Sequence, residues 1–364
     1  MARSLLFSVQ TGFDNGFFAD ETMLPAMERS PFQTSGWLRA WARAFRPADR
    51  DCHLATVRDG ATGALLMALP LVREERGSLA MLTLPDRGVT DYQGPIVAPG
   101  FDLNDYPTIW RELVRHLPPA DVLLIEKSPG RIGSVANPVT GLGAVRASRF
   151  ARHVLPLDAP FAELRATRFD GTSMRSLTRK RGKLERKGAL RFELVSGRDH
   201  AAAFDQVLAW RAARFADVNS ADKAGIERAF YQELLAEVGL ARLGLLTLDG
   251  NVIAGAFGVE AGGTFAMLCL AYDTAFKNYS PGLLITETLI EWYCRRGFTA
   301  FDFTIGNEGY KFDFGVVEEP LTEYCEALSL RGVSYVATYR AKHLARRALA
   351  VARGFGGEAP RSAA

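Results

Sequence analysis

The run FTAFDFTIG at 298–306 reads as a strand, and Asp302, Gly306, Asn307, Glu308, Tyr310 and Lys311 cluster at and just past its carboxyl end. Open α/β sheets place their ligands there. Tyr310 has the chemistry to donate a proton to a leaving group. Lys311 can bind a carboxylate or phosphate, or stabilise an oxyanion, and Glu308 or Asp302 can accept the proton of an attacking amine. Two of these have a plain structural alternative: Asp302 as a strand-end residue bonded to backbone amides, and Tyr310 as a ring packed on Phe312 and Phe314.

A second centre lies just upstream. Asn278, Ser280, Pro281 and Gly282 open an amphipathic helix expected over about 283–296 and stopped by Gly297. A helix entered directly from a strand offers free backbone N–H groups and the positive end of its dipole, which suits a phosphate or pyrophosphate. Ser-Pro-Gly is equally a plain helix start. If the preceding strand, 267–272, splays from the strand that follows, its edge can pair with an extended, amide-bearing ligand arm.

The elements that carry these groups occur twice. Segment 53–86 and segment 242–273 each read as strand, Asp-Gly turn, strand, Gly-containing turn and strand, with Asp59-Gly60 and Asp249-Gly250 about a domain length apart. The Asp-Gly pairs call for positive φ, which Gly adopts freely and Asp tolerates. Upstream of each lies an amphipathic helical pattern, SGWLRAWARAF at 35–45 and DQVLAWRAARF at 205–215. Any two meanders look alike, but here the whole order recurs. The halves then diverge: the first continues into a Gly/Pro-rich loop carrying Asp91 and Tyr92, a helix over 104–117 and a strand over 122–127.

The chain has 364 residues, 48% hydrophobic and 23% charged, which fits two globular domains and excludes a disordered or fibrous chain. Its net charge of +3 argues against a general nucleic-acid binder. That total conceals a basic segment at 165–187, with nine Lys or Arg against two acids, and another at 337–364, with six against one. Helical phasing puts Arg175, Arg179 and Lys183 on one face, either as a solvated surface or as a site for a polyanion. The basic Ala/Leu-rich helix at 339–353 reads as a capping helix or as a surface for an anionic membrane or a protein partner, and a polar tail follows. Cys52, Cys269, Cys294 and Cys325 lack metal or redox spacing and read as buried reduced thiols; the histidines make no metal motif. No run reaches the ~18 apolar residues of a spanning helix and the amino terminus is not a signal peptide, so a cytoplasmic protein is expected.

The residues AYDTAFKNYSPGLLITETLIEWYCRRGFTAFDFTIGNEGYKFDFG, with RKRGKLERKG and VLAWRAARF upstream, resemble the GNAT acyltransferases of the CelD/BioF2-like branch, which contains cellulose and exopolysaccharide biosynthesis proteins and is related to the tandem-domain FemAB aminoacyl transferases. The resemblance covers about 155–330 well and the first half, with PFQTSGWLRAW and GVTDYQGP, more loosely. It implies an α/β (α+β) fold of tandem GNAT-like domains, each a mixed, largely antiparallel sheet flanked by helices. The division would be 1–150, on the acceptor side, 151–334, holding the donor, and 335–364, the basic helix and tail. It further implies acyl transfer to an amine or hydroxyl acceptor, saccharide- or lipid-linked or a small molecule, in a ternary complex. Acyl-CoA would be the co-substrate, with no metal, permanently bound cofactor or DNA. By position, Asn278, Ser280, Pro281 and Gly282 would hold the CoA pyrophosphate, Leu270 and Tyr272 would line the pantetheine arm, and Tyr310 would protonate the thiolate. Glu308, Lys311 and Asp302 complete the catalytic candidates. Asp91, Tyr92, Arg211, Arg214, Arg175 and Arg179 are the substrate-side ones. The loop keeps only Gly282 of the spaced glycines common in GNAT loops. Alternatives are an aminoacyl-tRNA-dependent transferase and a non-catalytic accessory protein of polysaccharide assembly.

Overall fold

The computed structural model describes residues 4–13, 27–101, 105–214 and 221–354. Its first half runs β1 (Leu5–Thr11), α1 (Ser35–Phe45), β2 (Cys52–Asp59), β3 (Leu65–Arg76), β4 (Leu79–Thr83), β5 (Ile96–Val97), α2 (Tyr106–His116) and β6 (Val122–Pro129). A small hairpin, β7 (Arg131–Ile132) with β8 (Val135–Ala136), and the long β9 (Val145–Pro156) follow. Next come α3 (Phe161–Thr167), α4 (Gly171–Glu185), β10 (Leu190–Val195), α5 (Ala201–Arg214) and α6 (Ala221–Leu235). The chain then forms β11 (Ala241–Leu248), β12 (Asn251–Ala261), β13 (Thr264–Tyr272), α7 (Pro281–Arg295), β14 (Ala300–Ile305), β15 (Val317–Ala327) and α8 (Leu330–Gly354). The helix start expected at Asn104, the end of the 205–215 pattern and the polar tail lie outside the described residues.

One 13-stranded sheet runs in the order β1-β2-β3-β4-β6-β15-β9-β14-β13-β12-β11-β10, with β5 on β3. Its pairs are antiparallel except β4–β6 and β13–β14, the two that α2 and α7 cross over. The unit meander, helix, parallel strand is thus present twice, as the sequence repeat predicts, and the fold is a tandem GNAT-like α/β architecture. The halves also exchange sheet edges, for which the sequence holds no local signal. β15, from the end of the chain, lies between β6 and β9. Residue 150, the boundary expected from the repeat, falls inside β9, which pairs with both β14 and β15.

Helices cover both faces. On one, α5 and α6 of the second half meet α1 of the first: Trp37 packs edge-on against Phe230 at 4.8 Å, and Arg39 reaches Glu237 at 2.8 Å. Gly255 lets α5 lie close to the sheet, since a Cβ there would stand 2.2 Å from Val207 Cγ2. On the other face, α3, α4 and α7 cover a core of Phe265, Tyr293, Phe301, Phe303 and Phe314. α8 packs Val336, Tyr335 and Tyr339 beside Cys325 and leaves Leu330 and Val333 exposed. Cys52, Cys269 and Cys325 are buried, Cys294 is partly exposed, and all four are free thiols.

The two Asp-Gly turns differ. Asp249 (φ 50°) and Gly250 (φ 83°) make the expected two-residue hairpin between the paired Leu248 and Asn251. At the first, positive φ falls instead on Gly63 (72°), because Asp59 Oδ1 accepts from the Ala61 and Thr62 amides and builds a longer turn.

Candidate functional site

β13 and β14 pair only through Thr264–Ala300, Phe265–Phe301 and Ala266–Asp302, then diverge, which meets the condition set for an edge that could pair with a ligand arm. Two bulges cause this. Leu268 is an extra residue between Met267 and Cys269, which oppose Gly258 and Phe257. β14 likewise carries one extra residue between Asp302 and Ile305, opposite Val154 and Arg152, and there Thr304 takes φ 58°. A β-branched residue in that region is strained and must be held. The Thr304 amide donates to Asp302 Oδ1 (2.7 Å), its hydroxyl to the Met267 carbonyl (3.3 Å), and its carbonyl faces His153 Nδ1 (3.4 Å). Among the described residues, no strand pairs with the edge of β13 beyond Ala266 on this side.

The first half has the same device, with a different occupant. β4 and β6 also pair through three residues, and β6 bulges at Lys127 (φ 53°). There the loop after β4 fills the gap. The Gln93 amide donates to the Lys127 carbonyl (3.2 Å), Gln93 Oε1 accepts from the Glu126 amide (2.8 Å), and the Gln93 carbonyl accepts from Ser128 Oγ (2.9 Å). The first-half opening is occupied by its own chain.

The amino end of α7 stands beside the second opening. Ser280 adopts the left-handed conformation (φ 51°) and makes no side-chain cap, and Pro281 begins the helix. Lys180 Nζ of α4 donates to Ser280 Oγ at 2.7 Å. A Cβ on Gly282 would meet Tyr272 Cδ1 at 3.1 Å and Leu270 Cδ2 at 3.7 Å, so these two side chains line the helix entry. Asn278 is exposed. α3 and α4 are clasped to α7 by buried Glu287, which pairs with Arg165 of α3 (2.8 Å) and Arg181 of α4 (3.0 Å). Those two basic residues of the 165–187 run are structural. Arg175, Arg179 and Lys183 lie exposed on the outer face.

Past β14, Lys311 is buried, and its ammonium donates to the carbonyls of Phe303 (2.9 Å), Ile305 (2.9 Å) and Gly306 (3.0 Å) while pairing with Glu308 at 3.0 Å. Three N–H groups are spent on four acceptors, so Lys311 holds the 306–311 turn, in place of a contact to an oxyanion. Although burial opposes it, that ammonium together with Arg211 keeps Glu308 below the usual carboxylate range. Tyr310 packs edge-on against Phe303 at 6.2 Å, whereas exposed Phe312 meets His153 and Phe314 stacks on Phe303. Burial and the neighbouring Glu308 raise the Tyr310 pKa against Arg214 and Arg211, so its hydroxyl keeps its proton at neutral pH.

Asp302 is saturated: Oδ1 accepts from the Tyr92 hydroxyl (2.8 Å) and the Thr304 amide, and Oδ2 pairs with Arg152 (3.1 Å). Asp91, next to Tyr92, comes from the first half to face Thr304. Burial pushes its carboxyl up to about 6, opposed by Lys127 and by the Thr304 hydroxyl. Arg211 Nε pairs with Glu227 (3.1 Å) beside Tyr231 and Cys269, and Arg214 is exposed at the end of α5. The structure therefore gathers Asp91, Arg211, Glu308 and Tyr310 around the opening, with Leu270, Tyr272 and the 280–282 turn along it. Arg175 and Arg179 stand apart on α4. A cleft of about 1110 Å³ between the halves has Tyr92, Arg152 and Asp302 among its lining.

Residues 172–312 match the acetyltransferase (GNAT) domain family. Among solved structures, the chain is similar to a crystal structure of FemX (TM-score 0.63, 13% identity, 88% of this chain and 97% of that one). It is also similar to a conserved protein of unknown function from Bacteroides thetaiotaomicron VPI-5482 (TM-score 0.55, 14% identity, 88% and 100%). At these identities the likeness is one of fold. No curated protein matches the chain significantly. Among the described residues no helix is long and apolar enough to cross a membrane. The fold is GNAT acyltransferase-like.

Lys180, Glu287, Arg152 and Thr304 are the site residues that sequence reasoning misses. Lys180 and Glu287 sit inside patterns that read as a charge run and a helix. Thr304 contradicts its own backbone preference.

Proposed function

We propose that the chain transfers an acyl group from an acyl-CoA to an amine or hydroxyl acceptor. The observation that carries this is the opening between β13 and β14 beside the amino end of α7. The free edge of β13 suits the amides of a pantetheine arm, and the 280–282 turn with Lys180 suits the pyrophosphate. The first-half opening is filled by Gln93, so one donor binds per chain.

Asp91 accepts the acceptor's proton as its nitrogen or oxygen attacks the acyl carbonyl. The new C–N or C–O bond forms, the C–S bond breaks, and Tyr310 gives its proton to the departing thiolate. Asp302 and Lys311 hold the frame for these two groups. The CelD/BioF2-like resemblance favours an acceptor from polysaccharide or envelope assembly. Calorimetry and thermal shift with acetyl-CoA, longer acyl-CoAs and free CoA test the donor: a one-to-one complex that raises Tm is expected. A folded protein that binds none of them overturns the assignment.

A second reading, an aminoacyl-tRNA-dependent transferase, is favoured by the exposed row Arg175, Arg179 and Lys183, whose spacing along the helix is about 6 Å. Activity that requires charged tRNA, is lost to RNase and falls steeply with salt would select it.

A further inference from the structure

Asp91 reaches the second half on a loop whose neighbouring residues Thr90, Tyr92 and Gln93 are pinned. The Thr90 amide and hydroxyl donate to Asp86 Oδ1 (3.1 Å) and the Pro85 carbonyl (2.7 Å), and its carbonyl accepts from Lys127 Nζ. Gln93 is tied to β6 as described, and the Tyr92 carbonyl accepts from Gln33 Nε2 at 2.9 Å. The Tyr92 side chain crosses to the other half. Its hydroxyl bonds Asp302 over a separation of 210 residues, and its ring lies under the Arg152 guanidinium, 5.3 Å from the centroid. Arg152 in turn spans Asp302 and Glu319 (3.5 Å). Asp302 and Tyr92 are each only 2% exposed.

Asp302 thus makes two bonds at once with the same oxygen. One fixes the loop that carries Asp91, and the other fixes the amide of Thr304, the bulged residue that Asp91 faces. We infer that Tyr92, Asp302 and Arg152 form a positioning unit that sets the Asp91 carboxylate of the first half against the bulged strand end of the second. A bond from a first-half tyrosine to a second-half carboxylate keeps these two parts in register. The charged and titratable groups facing Asp91 are Lys127 and Asp86 from the first half, Lys311 from the turn after β14, and Tyr231 from α6. Lys127 and Asp86 bond one another at 2.9 Å, and Lys311 is spent on carbonyls, so none of them holds the carboxylate in place of the unit.

This rests on the proposed function only in giving Asp91 the role of base. The test reads Asp91 directly. The full-length protein is labelled with ¹³C-aspartate, and the carboxyl resonance lost in Asp91→Asn is followed against pH in wild type, Tyr92→Phe and Asp302→Asn. Tyr92→Phe removes one hydroxyl and keeps the ring, so it carries the test alone if Asp302→Asn fails to fold. The expected result is a titration displaced by about one pH unit or more toward the ordinary carboxylate value. The acidic limb of the rate profile moves with it, and Tyr92→Phe adds no further loss of turnover in the Asp91→Asn background. An Asp91 titration unchanged in Tyr92→Phe overturns the inference. Full turnover in Asp91→Asn removes instead the base role assigned above, and the resonance still decides whether the unit positions the carboxylate.

Discussion

Lys180 Nζ lies 2.7 Å from Ser280 Oγ, joining the basic helix α4 to the turn that opens α7 across 100 residues. Ser280 holds a left-handed conformation and caps nothing with its side chain, so this bond serves the turn rather than the helix. A cation from α4 is thereby fixed beside the amino end of α7.

Lys180→Met is expected to weaken acyl-CoA binding about tenfold by calorimetry, because a single charge-assisted contact to phosphate contributes about 1.5 kcal/mol. Thermal stability changes little, as the bond is partly exposed. Equal affinity in the two proteins would remove Lys180 from the donor site.

Tyr310→Phe keeps the ring against Phe303 and removes only the hydroxyl. Turnover should drop by roughly 10²-fold, the ordinary worth of a positioned general acid, with donor affinity near wild type. Unchanged steady-state kinetics would show that the thiolate leaves unassisted by this residue.

Asp91 titrates at about 6 in the folded protein against 3.8 for the unperturbed group. The folded state therefore holds the extra proton between these values. The contribution of Asp91 to stability is fully present below the unfolded pKa and is lost as pH rises through about 6. Asp91→Asn should accordingly be more stable than wild type at pH 7.5, by at most about 3 kcal/mol, with the gain vanishing toward pH 4. Urea unfolding at both pH values measures it; a gain equal at both would contradict the buried-acid assignment. With Asp91 as the proposed base it must be deprotonated to act, so kcat/KM should rise with pH to a plateau above about 6.

Removing the Lys311 ammonium leaves the carbonyls of Phe303, Ile305 and Gly306 without their donor. Lys311→Met should cost about 3 kcal/mol or more in denaturant unfolding and lower turnover through a displaced Tyr310. Lost turnover at full stability would point to a direct role for the ammonium on the substrate.

What could be read from residue types alone follows the range of the interactions. α1, α7 and both meanders are written in local signals: Trp and Leu at helical spacing, Asp249-Gly250, and Pro281 at a helix start. β9 and β15 are not. VRASRFARHVLP and VEEPLTEYCEA carry charges through much of their length; β15 pairs with β6 of the first half and with β9, and β9 also pairs with β14. Asp302 illustrates the limit within the site. Its bond to the Thr304 amide is predictable from position, whereas those to Tyr92 and Arg152 arise only once the two halves share a sheet.

The placement of β15 bears on how the molecule is made. During synthesis β6 emerges with only β4 at its side, and its other edge stays unpaired until residue 327 has left the ribosome, because Leu321, Tyr324 and Ala327 complete it opposite Pro129, Ile125 and Val122. The amino-terminal half therefore cannot finish folding ahead of the rest, as a simple two-domain chain does. Loop closure across about half of the chain, from Val122 to Ala327, comes last and slowly, and an apolar strand, VLLI, waits with an open edge in the meantime. Cutting the protein at the repeat boundary would make that vulnerable interval permanent in the first fragment.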